Sequence, residues 1–228
     1  MAKNSVNWYF FDALLKQSEA LANCIAADIR LLLDRQEKVT LSTPGGTTPL
    51  AFYQFLSCID LDWSRVNVVL NDERWVPLNN KKSNEALLRK TLKINRAKDI
   101  NVVSFYSPDF DIEEAVKRFN EKNSVSNLDI CVLGMGTDGH TASLFPNMEN
   151  LPEALNISSS PKLIVSKAGL EESRVSLNLS SLITAKKHFF LITGETKKIV
   201  LEQSLLQKTF RWPVSHLASA VPLEIYHS

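Results

Sequence analysis

Leu128-Asp-Ile-Cys-Val-Leu-Gly-Met-Gly-Thr-Asp-Gly-His140 is an apolar run that empties into a glycine-spaced polar turn. Leu128 to Leu133 is short, branched and bounded by glycine, the pattern of a strand buried on both faces. Glycines at 134, 136 and 139 permit a tight, close-approach turn that carries Asp138 and His140 to the carboxyl end of that strand. The same design recurs on the amino-terminal side. Val39-Thr-Leu-Ser42 runs into Pro44-Gly-Gly-Thr-Thr-Pro49, and Val66-Asn-Val-Val-Leu70 ends at Asn71-Asp-Glu-Arg74. Asn101 to Phe105, Leu163 to Val165, Val175 to Leu179 and His188 to Ile192 are further predicted strands.

Helical spacing fills the intervals. Phe10 to Leu33 carries Leu14, Leu15, Leu21, Ile25, Ile29 and Leu32 on one face, which predicts a long amphipathic helix. Leu50 to Leu56, Ile112 to Asn120 and Glu195 to Leu206 are shorter helices, and Ser83 is the expected cap of another running through Leu92. Thr141 to Leu144 is expected to open a short helix whose N–H groups aim back at the turn. Val214 onward reads as short and mixed. Strands alternating with helices predict an α/β fold, a mostly parallel sheet with helices on both faces. With no repeat or linker, residues 1–228 are expected to form one such domain. In open sheets of this kind ligands gather beyond the carboxyl ends of the strands, where the polar motifs lie.

Composition narrows the partners. Lys and Arg total 26 against 25 Asp and Glu, a net charge of +1. That balance disfavours bulk attraction to nucleic acid or to an anionic membrane; an anionic substrate needs a local positive cluster. Met1 to Val6 has no apolar core of a secretory signal, and no window approaches the roughly 18 apolar residues of a spanning helix. Cys24, Cys58 and Cys131 are scattered in apolar settings, as expected of buried reduced thiols in a cytoplasmic protein. Nothing in the spacing of His, Cys and acidic residues calls for a metal.

Three motifs carry chemistry. In Thr43-Pro-Gly-Gly-Thr-Thr-Pro49, Gly45 and Gly46 let backbone N–H groups approach a ligand. Thr47 and Thr48 add hydroxyls, and the helix behind adds its positive end, making a phosphate cradle. A lone Gly-Gly would read as a plain strand-to-helix turn, and without a Gly-Lys-Ser/Thr the loop does not imply ATP. At the second strand end, Arg74 offers a planar fork to phosphate or carboxylate, and Asp72 can orient a neighbouring His, an Arg or a hydroxyl; the competing reading is a surface ion pair. In the central turn, His140 is the group suited to proton transfer near neutrality. Gly134, Gly136 and Gly139 also mimic a dinucleotide fingerprint, but no long helix or ribose-binding acid follows, so no nicotinamide cofactor is expected. Arg174 and Lys197 are two further cations available to a phosphate, each otherwise an ordinary surface charge.

Pro44 to Pro49, Asp72-Glu-Arg-Trp-Val-Pro77, Gly134 to Pro146, Arg174-Val-Ser-Leu177 and Thr193-Gly-Glu-Thr-Lys197, in this order, resemble the 6-phosphogluconolactonase family. The resemblance runs from the first helix to about Leu206. It implies a Rossmann-like fold in a superfamily shared with the glucosamine-6-phosphate deaminases. The deaminase pattern carries a carboxylate five residues after the His, where this chain has Phe145, and a Tyr where it has Arg74. Thr47 stands where the lactonases usually have Ser, and Val221 to Ser228 lacks their usual closing Asp.

The resemblance further implies hydrolysis of 6-phospho-D-glucono-1,5-lactone to 6-phosphogluconate, a step of the oxidative pentose phosphate pathway, without cofactor or metal. His140 is then the general base, oriented by Asp72 or Asp138. Arg74 or the turn's N–H groups hold the oxyanion. Gly45, Gly46, Thr47 and Thr48 hold the phosphate, with help from some of Arg74, Arg174 and Lys197. The partner is a small phosphorylated sugar lactone, not nucleic acid or membrane, and the protein is a monomer or small homo-oligomer. A deaminase-like sugar-phosphate enzyme and a non-catalytic sugar-phosphate sensor are the alternatives.

Overall fold

Short runs rich in Val, Ile and Leu become strands, and the longer amphipathic stretches between them become helices. The computed structural model describes residues 5–122 and 127–228. The first half holds β1 (Val6–Phe10), α1 (Leu14–Leu33), β2 (Val39–Thr43), α2 (Leu50–Ser57), β3 (Val66–Leu70), β4 (Asp72–Arg74), α3 (Asn84–Thr91), β5 (Asn101–Val103) and α4 (Ile112–Lys122). The second holds β6 (Ile130–Leu133), α5 (Leu151–Ala154), β7 (Leu163–Ser166), β8 (Arg174–Leu177), α6 (Leu179–Leu182), β9 (Lys187–Ile192), α7 (Glu195–Leu206), α8 (Val214–Ala218) and β10 (Leu223–His227). The absence of a leader, read from Met1 to Val6, falls largely on residues 1–4, outside the described residues. Among the described residues no helix is long and apolar enough to cross a membrane.

Seven strands form one sheet in the order β1-β10-β9-β6-β2-β3-β5, and each adjacent pair is parallel. Parallel strands joined through helices cross over right-handed. The steps from β1 through β2 and β3 to β5 run one way along the sheet, and those from β6 through β9 to β10 run back. Right-handed crossovers therefore lay α1, α2 and α3 on one face and α7 and α8 on the other. The observed packing of α1 on α2, α2 on α3 and α7 on α8 agrees. The direction changes between the neighbours β2 and β6, so their outgoing loops part there and open a crevice. That is the switch point where open α/β sheets bind ligands.

A second sheet, in the order β4-β8-β7, is antiparallel and was not anticipated from the sequence. Buried Asn71 joins the two sheets. Its N–H donates to the Thr43 carbonyl at 2.9 Å, and its carbonyl accepts from Leu177 N–H at 2.8 Å. Its side-chain amide donates to the Val132 carbonyl at 2.7 Å, and the Ser42 hydroxyl donates to its Oδ1. Four hydrogen bonds from one residue so tie together three strands, β2, β6 and β8, and leave the buried amide satisfied.

Three expectations need correction, and the short, mixed tail resolves into named elements. Phe10 closes strand β1 instead of opening a helix, because Val6 to Phe10 pairs in register with Leu223 to His227. The mixed tail contains α8 and then β10, which lies inside the sheet between β1 and β9. Thr141 to Leu144 is a tight turn with a bridge between its ends, and Ala142 adopts φ +50°, which no helix permits. Of the three thiols only Cys131 is buried, where burial pushes it up to about 12. Cys24 is half-buried and Cys58, at the end of α2, is exposed.

Candidate active site

A cleft of about 280 Å³ opens at the carboxyl ends of β2 and β6 and is walled by β4, β8 and the start of α7. Gly45, Gly46, Thr47, Thr48, Asp72, Arg74, His140, Arg174 and Lys197 all line it. Of the ten sequence-predicted site residues, only Asp138 is not in the lining; it stands directly behind His140.

The central turn is held by its own backbone. Gly136 N–H donates to the His140 carbonyl at 3.0 Å, and Gly139 N–H to the Gly136 carbonyl at 3.1 Å. His140 N–H donates to Asp138 Oδ1 at 3.2 Å. These N–H groups are therefore committed within the turn, which takes them out of contention for a developing oxyanion. Asp138 Oδ1 also lies 2.6 Å from His140 Nδ1. A carboxylate there holds the proton on Nδ1 and leaves Nε2 as the acceptor. Of the two candidate orienting acids, Asp138 is the one in contact. Gly136 makes this possible: a Cβ there would fall 2.3 Å from His140 Cε1 and Nδ1 and 2.5 Å from Asp138 Oδ1.

Asp72 has different partners. The Ser143 hydroxyl donates to its Oδ2 at 2.5 Å, and Arg174 Nη1 stands 4.0 Å from the same oxygen. Arg174 and Arg74 are direct cross-strand partners on β8 and β4. Like charges in that relation repel, and here the repulsion sits in a partly buried place. Burial first, then the Arg74 charge, lowers the pKa of Arg174, against the attraction of Asp72, Glu172 and Glu73. The Nε atoms of both arginines are buried without a partner among the described residues. Two facing guanidiniums with donors unspent are a site waiting for an anion. Lys197, half-buried at the first turn of α7, is likewise lowered by burial.

The two arginines face different parts of the cleft. Arg74 Nη1 donates to the Lys82 carbonyl at 2.8 Å, on the segment leading to α3, whose first residue Asn84 touches the glycine loop. Arg174 lies 5.5 Å over the ring of Phe145, and that ring packs 4.4 Å from the imidazole of His140. Arg174 is thus the cation on the histidine side.

Asn84 and Ser143 escaped the sequence reading as site residues. Asn84 lines the cleft at the first position of α3, after the predicted cap Ser83, whose hydroxyl accepts from Ala86 N–H at 3.1 Å. Its side chain accepts from Gly46 N–H at 3.3 Å and donates to the Asp72 carbonyl at 3.2 Å. It sits so close to the loop that a Cβ on Gly45 would fall 2.0 Å from it. A polar residue just inside a helix start was the available signal; nothing local marked its reach to the glycine loop.

A histidine held by a carboxylate beside paired cations at a switch point is an arrangement suited to a small anionic ligand. The family described as glucosamine-6-phosphate isomerases/6-phosphogluconolactonase matches residues 15–223, and the chain belongs to that family. It is 36% identical to a 6-phosphogluconolactonase of Rhizobium meliloti (strain 1021), over 97% of this chain and 98% of the relative. The crystal structure of a 6-phosphogluconolactonase from Shewanella baltica OS155 superposes with a TM-score of 0.90 at 28% identity, covering 100% of both chains. A monomeric glucosamine-6-phosphate deaminase, at 16% identity over 97% of this chain and 96% of its own, shares the fold with a TM-score of 0.76.

Proposed function

We propose that this chain is a 6-phosphogluconolactonase, opening 6-phospho-D-glucono-1,5-lactone to 6-phosphogluconate in the oxidative pentose phosphate pathway. The contact of Asp138 with His140 at 2.6 Å carries the reading, because it holds a ring proton on Nδ1 and leaves Nε2 as the proton acceptor on a side chain that lines an anion-binding cleft. Nε2 takes a proton from water as the water oxygen bonds to the lactone carbonyl carbon. The carbonyl oxygen becomes an anion, which Arg174 stabilises from the histidine side. Collapse breaks the bond between that carbon and the ring oxygen, and protonated His140 returns its proton to the departing oxygen. The new carboxylic acid then ionises. The phosphate rests against Gly45, Gly46, Thr47 and Thr48, with Arg74, Asn84 and Lys197 around it.

The relatives' names support the substrate, and Phe145 supports hydrolysis over amino-sugar deamination, since a phenyl ring cannot move a proton. The test is hydrolysis of freshly generated 6-phosphogluconolactone with the spontaneous rate subtracted. Wild type should exceed background many-fold. A rate equal to background, with turnover of glucosamine 6-phosphate instead, would overturn the assignment.

Gly136→Ala tests the dyad without touching it chemically. The added methyl must displace either His140 or Asp138, so activity should fall at least tenfold. Overpacking of this kind costs about 1–3 kcal/mol of stability, so a thermal melt alongside the assay should show a lowered but cooperative transition.

A further inference from the structure

We infer that Glu73, a buried carboxylate outside the cleft, is the positioning residue that aims Arg74 and Asn84 at the substrate's phosphate. The inference rests on the reading that the cleft takes a phosphorylated ligand. Glu73 is 1% exposed and its carboxylate gathers four donors. Oε1 accepts from Arg74 N–H at 2.7 Å and from Asn84 N–H at 2.8 Å. Oε2 accepts from Glu85 N–H at 2.7 Å and from the Ser83 hydroxyl at 3.0 Å. Two of those donors belong to residues that line the cleft. One carboxylate thus pins the end of β4 to the start of α3 and sets the separation of the guanidinium-bearing residue from the amide-bearing one.

The carboxylate is poorly explained as a stabiliser of the fold. Burial raises its pKa above the ordinary carboxylate range, and the hydrogen bonds only partly oppose that. A carboxyl whose folded value lies above its unfolded one favours the folded state at low pH, and that advantage is lost as pH rises through the folded value. The ionised form, the one that can accept from four donors, is therefore the less stabilising of the two. Side chains carried at such a cost are found where geometry matters to function. The Arg74 guanidinium has its own tether at the Lys82 carbonyl. Glu73 and Lys82 together hold both ends of that residue.

Glu73→Gln keeps the volume but turns an NH₂ group toward either Arg74 and Asn84 or Glu85 and Ser83, so one pair of donors loses its acceptor and the junction of β4 with α3 must shift. The measurements are binding of inorganic phosphate by calorimetry and the kinetics of the phosphorylated lactone beside unphosphorylated glucono-1,5-lactone. Phosphate affinity should fall about tenfold and KM for the phosphorylated lactone should rise by a similar factor. Its kcat and the turnover of the unphosphorylated lactone should stay within about threefold of wild type. An equal loss on both lactones, or unchanged phosphate affinity in a folded variant, overturns the inference, as does failure of wild type to bind phosphate. If Glu73→Gln does not fold, Ser83→Ala removes one of the four donors and must show the same selective loss at smaller size; a non-selective loss overturns it. A protein whose phosphate affinity depends on Glu73 yet opens no lactone would refute the proposed reaction and leave this inference standing.

Discussion

His140→Ala should hydrolyse the phosphorylated lactone about 10²–10⁴-fold more slowly than wild type, the usual contribution of a positioned general base. The side chain is partly exposed, 30% by surface, and its packing partner Phe145 lies at the rim, so the melting temperature should change little. Asp138→Asn is the sharper companion. An amide at 2.6 Å from Nδ1 can present its NH₂ to the ring and favour the tautomer whose proton sits on Nε2, which removes the base while leaving the residue in place. Both variants should keep wild-type affinity for inorganic phosphate. Steady-state kinetics with the spontaneous rate subtracted decide the matter. Activity that survives in His140→Ala would keep the reaction and discard this mechanism.

Arg174→Ala and Arg74→Ala should separate two tasks that the cleft assigns to facing residues. Arg174 lies beside Phe145 and His140, so its removal should lower kcat by about 10²–10³, the loss typical of an oxyanion donor. Arg74 is tethered beside the start of α3, and its removal should raise KM by about tenfold or more, as hydrogen bonds to charged groups are worth about 1.5–3 kcal/mol. The neighbour left behind in either variant is relieved of cross-strand repulsion, so neither should melt far below wild type. Equal effects of both substitutions on kcat and KM would show that the pair acts as one anion clamp, and would overturn the division.

Local pattern carried much of the fold. Buried runs such as Val66 to Leu70 and Ile130 to Leu133 are apolar on both faces, and the motifs at their ends had to be something other than packing. Boundaries failed where two patterns overlap. Phe10 and Phe11 satisfy the helical spacing of α1 as well as the strand, and only pairing with Leu223 to His227 decides between them. Non-local pairing also hid the second sheet, because β4 meets β8 about a hundred residues later. The choice between Asp72 and Asp138 could not be read because it depends on Ser143, whose hydroxyl claims Asp72. Glu73 carried no role of its own in the sequence, where the competing reading of its whole segment was a surface ion pair. Its burial comes from the way α3 docks its first turn on β4, and no short motif records that.

The place of β10 between β1 and β9 also sets a timetable. Asn7 and Glu224, neighbours across β1 and β10, are 217 residues apart in the chain. A ribosome adding about 5–20 residues per second needs roughly 10–40 s to cover that distance. Throughout the interval the strand carrying Trp8, Tyr9 and Phe10 has no partner, since the slot beside β9 has yet to be filled. The nascent chain can assemble β2, β3 and β6 early, with both loops of the cleft in place. Its aromatic edge strand docks last, behind β10, and until then it presents to the cell the kind of sticky surface that chaperones attend.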